Sequence, residues 1–481
     1  MELEMPFWTM CQECKGLGKK YRRLRKKLRL RHQEALAQYE KNNRQGEAPN
    51  RPKGAPYACL ECSGSGLTAA SQFLEPDTGN YPHVAIVGGG IGGTALAVAC
   101  RHRGIPFTLY ERDSSFDSRS QGYGLTLQQA SREMERFGLF SLEKGLVSTR
   151  HLVHTPDGKV IGEWGMRKWM PFKKKSAPKR TNIHIARQSL RLAILQQLGG
   201  HEQVEWGHQL VDYKNNIDGL ELHFEVDGKI MTKQADILVG ADGIRSTVRK
   251  LSIGEELAPL QYLGCIVILG ICPLSNLKDF DNPLLDSATV FQTANGNERI
   301  YMMPFDVESV MWQLSFPIPE EEAKTLSAKG PQALKEEACR RVPWHDPIPQ
   351  ILEATKAAQI SGYPVYDRAL IEANWLEQHQ RVTLLGDAAH PLSPFKGQGA
   401  NQALLDALAL ARGISIGCRP LSNWRDVGIR ISVLKEFEAK MIARTKSKVK
   451  DSREAARYLH SDIVLMETNK PRGSFLKIEE E

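Results

Sequence analysis

The chain has 481 residues, enough for about two to four domains and a sizeable buried core. Hydrophobic residues make up 41% of the chain and charged residues 25%, which excludes a protein that is disordered, collagenous or coiled-coil throughout. The formal net charge is +8, but residues 15–31 alone carry ten Lys or Arg and no acidic residue. Any contact with a polyanion is therefore expected to be weak and confined to this segment.

The N-terminus lacks the basic and then apolar stretches of a secretory signal, so we expect a cytoplasmic location. The most apolar stretch, residues 83–100, approaches the length of a membrane span. Its five glycines separate a β-rich run from an alanine-rich run, which predicts a strand, a turn and a helix. No membrane span is expected.

Four of the nine cysteines form two CxxC pairs, Cys11 with Cys14 and Cys59 with Cys62, and glycines follow each pair at the same two offsets. In a reducing compartment such pairs indicate a metal before a disulfide, and four thiolates suit tetrahedral Zn²⁺. Redox-active dithiols or an iron centre are the alternatives. The CxxCxGxG repeat resembles the knuckles of the cysteine-rich zinc domain of J-domain chaperones.

The segment between the two pairs is basic, and its larger apolar residues roughly follow a helical stripe. These residues are Tyr21, Leu24, Leu28, Leu36 and Tyr39. A helical hairpin arm is predicted, which could bind RNA or another anionic surface; a solvated charged face is the alternative.

A dinucleotide-binding turn is predicted at Gly88, Gly90 and Gly93, because this GxGxxG follows a short apolar strand and precedes a helical run. The glycines would permit a tight turn, the approach of a pyrophosphate and close packing of helix on strand. Glu111 ends the next strand, 18 residues after Gly93, where a carboxylate can bind ribose hydroxyls. A glycine turn that only packs tightly is the alternative.

Two further segments, residues 235–250 and 381–411, resemble flavoprotein signatures. Asp387 follows a predicted buried strand, which is the usual place for ligand-binding residues in open α/β sheets. The loop at residues 394–399 has few large side chains, so its backbone N–H groups and the next helix could face the electron-rich edge of a flavin.

Residues 83–430 are therefore similar to the FAD-dependent aromatic hydroxylases of the para-hydroxybenzoate and salicylate hydroxylase type, and to tetracycline-inactivating monooxygenases. The resemblance implies a set of FAD-binding residues. At the nucleotide end these are Glu111 and Arg112 at the adenosine, Arg187 on the pyrophosphate side, and Asp242 near the pyrophosphate and, indirectly, NAD(P)H. At the flavin end they are Asp387 at the ribityl chain, with Pro394, Gly397, Gly399 and Asn401 lining the ring.

The resemblance also implies the reaction. NAD(P)H would reduce the flavin, and O₂ would add to the reduced ring to give a peroxyflavin that hydroxylates an aromatic or polycyclic small molecule. No side chain is assigned as catalytic, because the cofactor carries the chemistry. A flavin-dependent reductase or dehydrogenase of the same fold is one alternative, and a non-enzymatic binding protein acting through the basic zinc arm is another.

The predicted fold class is α/β: a Rossmann-like FAD-binding domain, an interleaved antiparallel-sheet substrate domain and a small N-terminal zinc-binding module. The module takes residues 1–80. The FAD-binding domain takes residues 81–150, 182–255 and 361–425. The substrate domain takes an insert at 151–181 and a sheet domain at 256–360, and residues 426–481 form a C-terminal helical segment.

The substrate cavity is expected on the sheet of the substrate domain. Candidate wall residues are Tyr262, Phe291, Tyr301, Met303, Phe305 and Trp312, with ordinary packing as the alternative. Residues 167–180 hold seven basic residues and no acid, and could cap the cavity or form a solvated loop. Histidines 151, 154, 184 and 390 lack metal-ligand spacing and are predicted to be structural.

Overall fold

A computed structural model of the chain describes residues 6–46, 48–52, 54–118, 122–169, 182–277 and 280–471. The chain divides into two compact units, Met1–Glu75 with Arg101–Gly104, and Pro76–Cys100 with Ile105–Glu481. No helix of the described residues combines the length and apolar character that crossing a bilayer requires.

The described residues of the small unit form two short antiparallel strand pairs and one helix. Its elements are β1 (Phe7–Met10), β2 (Lys19–Tyr21), α1 (Lys26–Lys41), β3 (Pro56–Ala58) and β4 (Leu67–Ala70). Strand β1 pairs with β4 and β2 with β3. Helix α1 has no fully buried residue, and only His32 and Tyr39 of it are half-buried.

The large unit contains the remaining strands and helices of the described residues. In chain order the strands are β5 (Val84–Val87), β6 (Phe107–Tyr110), β7 (Gly124–Leu127), β8 (Leu146–Val147), β9 (Arg150–His154), β10 (Val160–Trp164), β11 (Ile183–Ala186), β12 (Val204–Glu205), β13 (Gln209–Asn215), β14 (Leu220–Val226), β15 (Lys229–Ala235), β16 (Ile237–Gly240), β17 (Gln261–Pro273), β18 (Thr289–Ala294), β19 (Arg299–Asp306), β20 (Ser309–Pro317), β21 (Ile360–Asp367) and β22 (Val382–Leu384). The helices are α2 (Ile91–Arg101), α3 (Met166–Trp169), α4 (Arg187–Gln196), α5 (Thr247–Ile253), α6 (Glu320–Ala328), α7 (Pro331–Arg341), α8 (Ile348–Ala354), α9 (Gly399–Gly417), α10 (Trp424–Val427) and α11 (Lys435–Tyr458).

A parallel sheet with the strand order β12-β6-β5-β16-β22 forms the centre of the large unit. Its middle strands β5 and β16 are buried along their whole length, as expected of a sheet covered on both faces. The carboxyl ends of β5, β6, β16 and β22 are followed at once, or within three residues, by Gly88, Glu111, Asp242 and Asp387. Because parallel strands end at one edge, the fold brings these residues to the same side of the sheet.

A seven-stranded sheet with the order β10-β9-β18-β19-β20-β17-β21 forms the second layer. Its strands are antiparallel except for the parallel pair of β9 and β18. Helices α6 to α8 cover one face, where Trp312 is fully buried and its Nε1 donates to Thr355 Oγ1 at 3.0 Å. The predicted combination of a parallel α/β domain with an antiparallel sheet is confirmed.

The C-terminal helix α11 is held on the parallel sheet by a buried ion pair. Arg430 Nη1 lies 2.6 Å from Glu438 Oε2, and Glu438 Oε1 accepts from Thr383 Oγ1 of β22 at 2.7 Å. Arg430 and Glu438 are both buried, so each satisfies a charge that would otherwise be unpaired in the core.

Candidate functional site

A cavity of about 1100 Å³ lies between the carboxyl edge of the parallel sheet and the seven-stranded sheet. A smaller cavity of about 150 Å³ lies beside the ends of β5, β6 and β16. Gly90 and Arg187 line both cavities, so the two adjoin at the glycine-rich turn. An elongated ligand with a nucleotide end and a ring end would fit such a pair of spaces.

The glycine-rich turn is shaped for the close approach of a phosphate. Gly88 has a φ of +111°, and a Cβ at Gly93 would lie 1.9 Å from the carbonyl oxygen of Gly88, so neither position tolerates a side chain. At Gly90 the nearest atom to an added Cβ would be Arg187 Nη2, at 3.8 Å. The open space at Gly90 faces the cavities, where the N-terminus of α2 favours an anion.

Two charged side chains fix this turn from the side of the smaller cavity. Glu111 is buried, and its Oε2 accepts a hydrogen bond from Gly89 N at 2.7 Å. Arg191 Nε donates to the carbonyl oxygen of Gly89 at 2.6 Å. Arg112 is exposed and lines the same cavity. Sequence reasoning missed Arg191, although it follows Arg187 by one helical turn and so projects from the same face of α4.

Asp242 lies in the wall of the smaller cavity, and one of its carboxylate oxygens has no hydrogen-bond donor among the described residues. Its Oδ2 accepts from the backbone N–H groups of Thr247 at 2.7 Å and Val248 at 3.2 Å, at the start of α5. Its Oδ1 is buried and accepts no hydrogen bond from the described residues. Burial raises the pKa of this carboxyl group. An orphaned buried oxygen beside the phosphate turn is the kind of group that a bound ligand satisfies.

Asp387 lines the larger cavity, and its side chain is open to that space. The protein around the cavity desolvates its carboxyl group and so raises its pKa, against the opposite influence of His390 and Arg187. Asp406, a fully buried carboxylate, lies behind the turn that carries Asp387 and holds this turn in place. Its Oδ2 accepts from Gly386 N at 2.9 Å and lies 2.7 Å from His390 Nε2, and its Oδ1 pairs with Arg444 of α11.

The loop before α9 gives the larger cavity a wall with few side chains. Pro394, Gly397 and Gly399 line it, and Gly397 adopts a left-handed φ of +58°. Asn401 is not part of the lining but is fully buried behind the loop. Its amide donates to the carbonyl oxygens of Thr126 and Gly397, both at 2.9 Å, and its Oδ1 accepts from two backbone N–H groups. Asn401 therefore holds the loop against β7.

The sheet wall of the larger cavity carries a row of polar side chains. Gln292, Tyr301 and Gln313 are cross-strand partners on β18, β19 and β20, and all three line the cavity. Of the predicted wall residues, Phe291, Tyr301 and Met303 are part of the lining. Tyr262, Phe305 and Trp312 are not.

A buried arginine completes this polar row. Arg299 is only 5% exposed, lines the larger cavity, and donates from Nε to Gln292 Oε1 at 2.7 Å. No carboxylate of the described residues lies within ion-pair distance of its guanidinium, which stands 5.1 Å from the centre of the Tyr301 ring. Burial lowers the pKa of Arg299 to about 10. A buried cation without a carboxylate partner is costly unless a ligand supplies the anion.

Residues 81–419 match a family model described as an FAD binding domain. The chain belongs to this family. It is 30% identical over 364 residues to the aurachin C monooxygenase/isomerase of Stigmatella aurantiaca, covering 74% of this chain and 87% of the relative. It is 26% identical over 393 residues to 3-amino-4-hydroxybenzoate 2-monooxygenase of Streptomyces cremeus, covering 78% and 87%.

Solved structures show the same fold. HpxO of Klebsiella pneumoniae, complexed with FAD and uric acid, has a TM-score of 0.63 at 20% identity over 82% of this chain and 90% of that one. The tetracycline destructase Tet(51) has a TM-score of 0.55 at 18% identity, covering 79% and 93%. The predicted family is confirmed, and with it an FAD-dependent monooxygenase; neither the reductase nor the binding-protein alternative is favoured.

The small unit of this FAD-dependent monooxygenase contains a cluster of four buried thiols. The Sγ atoms of Cys11, Cys14, Cys59 and Cys62 all lie within 4.8 Å of one another, and none forms a disulfide. The Cys11–Cys59 and Cys14–Cys62 Sγ distances are 4.0 and 3.7 Å, close to the roughly 3.8 Å edge of a tetrahedral zinc–thiolate site. Gly18 N and Gly66 N each donate to a sulfur at 3.2 Å, as backbone N–H groups around a metal-bound thiolate do. The donor set fits Zn²⁺.

The predicted basic cap at residues 167–180 falls mostly outside the described residues. Within them, Arg167 Nη1 pairs with Asp286 Oδ2 at 2.6 Å. Arg167, one of the basic residues of this segment, therefore has a carboxylate partner in the same unit.

Proposed function

We propose that this FAD-dependent monooxygenase uses NAD(P)H and O₂ to hydroxylate an aromatic small molecule that carries an anionic group. The observation that carries the substrate class is Arg299, a buried cation in the cavity wall without a carboxylate partner among the described residues. The relative from Streptomyces cremeus is named for a hydroxybenzoate, which is an aryl carboxylate. A substrate anion would satisfy the charge of Arg299 on binding.

The residues of the two cavities suit the successive parts of FAD. Gly88, Gly90 and Gly93 would leave room for the pyrophosphate, with Arg187 beside it. When bound, FAD supplies the redox chemistry between NAD(P)H, O₂ and the substrate.

The ends of the cofactor would be held by different strands. Glu111 and Arg112 lie where the adenosine would bind, and Asp242 Oδ1 can accept a hydrogen bond near the pyrophosphate. Asp387 can accept hydrogen bonds from the ribityl chain. Pro394, Gly397 and Gly399 would face the ring, and we assign Asn401 the role of positioning their loop.

The protein's own contribution to the reaction is orientation and the exclusion of water. Arg299 would hold the anionic end of the substrate, with Gln292, Gln313 and Tyr301 as hydrogen-bonding groups beside it. Burial raises the pKa of Tyr301 to about 12, so its hydroxyl stays protonated and able to donate at neutral pH.

We also propose that the four thiols of the small unit bind a structural zinc ion. A weak contact of residues 15–31 with a polyanion, a cytoplasmic location and the domain boundaries given above remain predictions.

The proposed function is tested by NADPH oxidation and O₂ uptake of the purified, FAD-loaded protein with a panel of hydroxylated aryl carboxylates. We expect slow NADPH oxidation without ligand, acceleration by members of the panel and a hydroxylated product. Rapid NADPH oxidation that no ligand changes would instead favour a reductase.

A further inference from the structure

The outer end of the larger cavity is built by two stacked rings. Trp164 of β10 and His151 of β9 are cross-strand partners and both line the cavity. Their rings are almost parallel, at an interplanar angle of 4° and a centroid distance of 5.4 Å. This end of the sheet therefore offers a flat aromatic surface to a ligand, whereas the Arg299 end offers a polar one.

A buried histidine next to this stack has an unused ring nitrogen. His184 lines the cavity and is fully buried, and its Nδ1 lies 3.1 Å from Thr126 Oγ1. Its Nε2 is buried and has no hydrogen-bond partner among the described residues. Burial lowers the pKa of His184 to about 3 and that of His151 to about 4, so both rings are neutral at physiological pH. A neutral imidazole carries no charge to attract an anion. Its Nε2 therefore suits a hydrogen bond with an uncharged polar group.

The sheet register gives the distance between the two ends. Gln292, which holds Arg299, lies opposite Val153, and His151 is two residues along the same strand. Trp164 lies one strand further out. One strand spacing across and two residues along place His151, the nearer ring of the stack, about 8 Å from Gln292, and Trp164 about 12 Å away. A substrate with a single ring is too short to reach both ends.

We propose that Trp164, His151 and His184 form a second subsite for the distal ring of an extended, fused-ring aryl substrate. The distal ring packs against the Trp164–His151 stack, and an uncharged polar substituent bonds to His184 Nε2. The anionic group lies at Arg299, about 8 Å from the nearer edge of this stack. This inference rests on the proposed function and narrows its substrate class from aryl anions in general to those with two or more fused rings.

The test compares two ligands that differ by one fused ring, 4-hydroxybenzoate and 6-hydroxy-2-naphthoate, on the FAD-loaded protein. Binding is read from the perturbation of the flavin absorbance. We expect the wild type to prefer the naphthoate by about tenfold, and Trp164→Leu to abolish this preference while changing the 4-hydroxybenzoate Kd less than twofold. His151→Leu, which removes the other ring of the stack, should do the same. Trp344→Leu, which replaces a half-buried tryptophan outside the cavity lining, should leave both affinities unchanged.

The hydroxyl of the naphthoate tests His184 separately. Compared with 2-naphthoate, it should strengthen binding to the wild type about fivefold, and His184→Phe should remove this difference. Bound FAD in each variant reports that the variant has folded.

The possible failures are distinguishable. A wild type that binds 4-hydroxybenzoate through Arg299 without preferring the naphthoate, or a Trp164→Leu variant that keeps the preference, contradicts the second subsite alone. A wild type that binds neither ligand, or binds both unchanged after Arg299→Met, contradicts the proposed function itself.

Discussion

Replacing Arg299 by Met should weaken the binding of an aryl carboxylate without weakening the fold. Loss of charge-assisted hydrogen bonds to the ligand costs about 1.5–3 kcal/mol, which corresponds to roughly a 10- to 150-fold higher Kd. The assay is the titration of 4-hydroxybenzoate against the flavin absorbance, with the FAD content checked for each variant.

Arg299→Met should increase the free energy of unfolding, although it weakens ligand binding. Burial lowers the pKa of Arg299 from its ordinary range to about 10, so the charged form costs on the order of 3 kcal/mol in the folded state. This cost applies fully below about pH 10 and falls as the pH rises from the pKa of the folded state towards the higher pKa of the unfolded state. Losing the bond to Gln292 offsets about 1 kcal/mol of the gain. Arg299→Met should therefore unfold at an equal or higher urea concentration than the wild type.

Arg430 provides the matched control, because it is as buried as Arg299 but pairs with Glu438 at 2.6 Å. Arg430→Met leaves a buried carboxylate unpaired and should cost about 3–5 kcal/mol. An Arg299→Met variant that is as destabilised as Arg430→Met, or that keeps its affinity for the carboxylate, would contradict the role given to Arg299.

Three further variants test the other parts of the account. Gly93→Ala places a Cβ 1.9 Å from the Gly88 carbonyl oxygen and should abolish FAD retention. The control Gly79→Ala, whose added Cβ would be no closer than 3.5 Å to another atom, should retain FAD. Equal FAD retention in both variants would contradict the requirement for glycine at position 93. Asp387→Ala should raise the FAD Kd by roughly 10- to 150-fold in a titration of the apoprotein, and an unchanged Kd would remove Asp387 from the cofactor site. Cys59→Ser should lower the zinc content from about one ion per chain without loss of FAD, and a wild type without bound metal would contradict the zinc proposal.

The sequence was informative where a motif sits at the end of a buried strand. The pattern places Gly88, Glu111 and Asp387 at the ends of predicted strands, and the family resemblance adds Asp242; in the structure all four follow strands of the parallel sheet and share one edge. Local turn chemistry was equally readable, as in the knuckle glycine Gly66, whose N–H points at a cysteine sulfur.

Features that depend on contacts between residues far apart in the sequence could not be predicted. Asn401 turned out to bond backbone groups more than 270 positions earlier in the chain, which no local pattern records. The period of two in β19 and β20 could not say which face meets the cavity, so Trp312 was grouped with Tyr301 although it packs under the helices. The same ambiguity leaves Arg299, on β19, without any signal in the sequence that it lines the cavity.

The central claim is tested most directly by isotope incorporation. The FAD-loaded protein is supplied with NADPH, ¹⁸O₂ and hydroxylated aryl carboxylates of one and two rings, and the products are analysed by mass spectrometry. We expect a product that contains one ¹⁸O atom, formed in proportion to the NADPH consumed and lost in Arg299→Met at low substrate concentration. NADPH consumption that yields only hydrogen peroxide with every bound ligand would contradict the central claim.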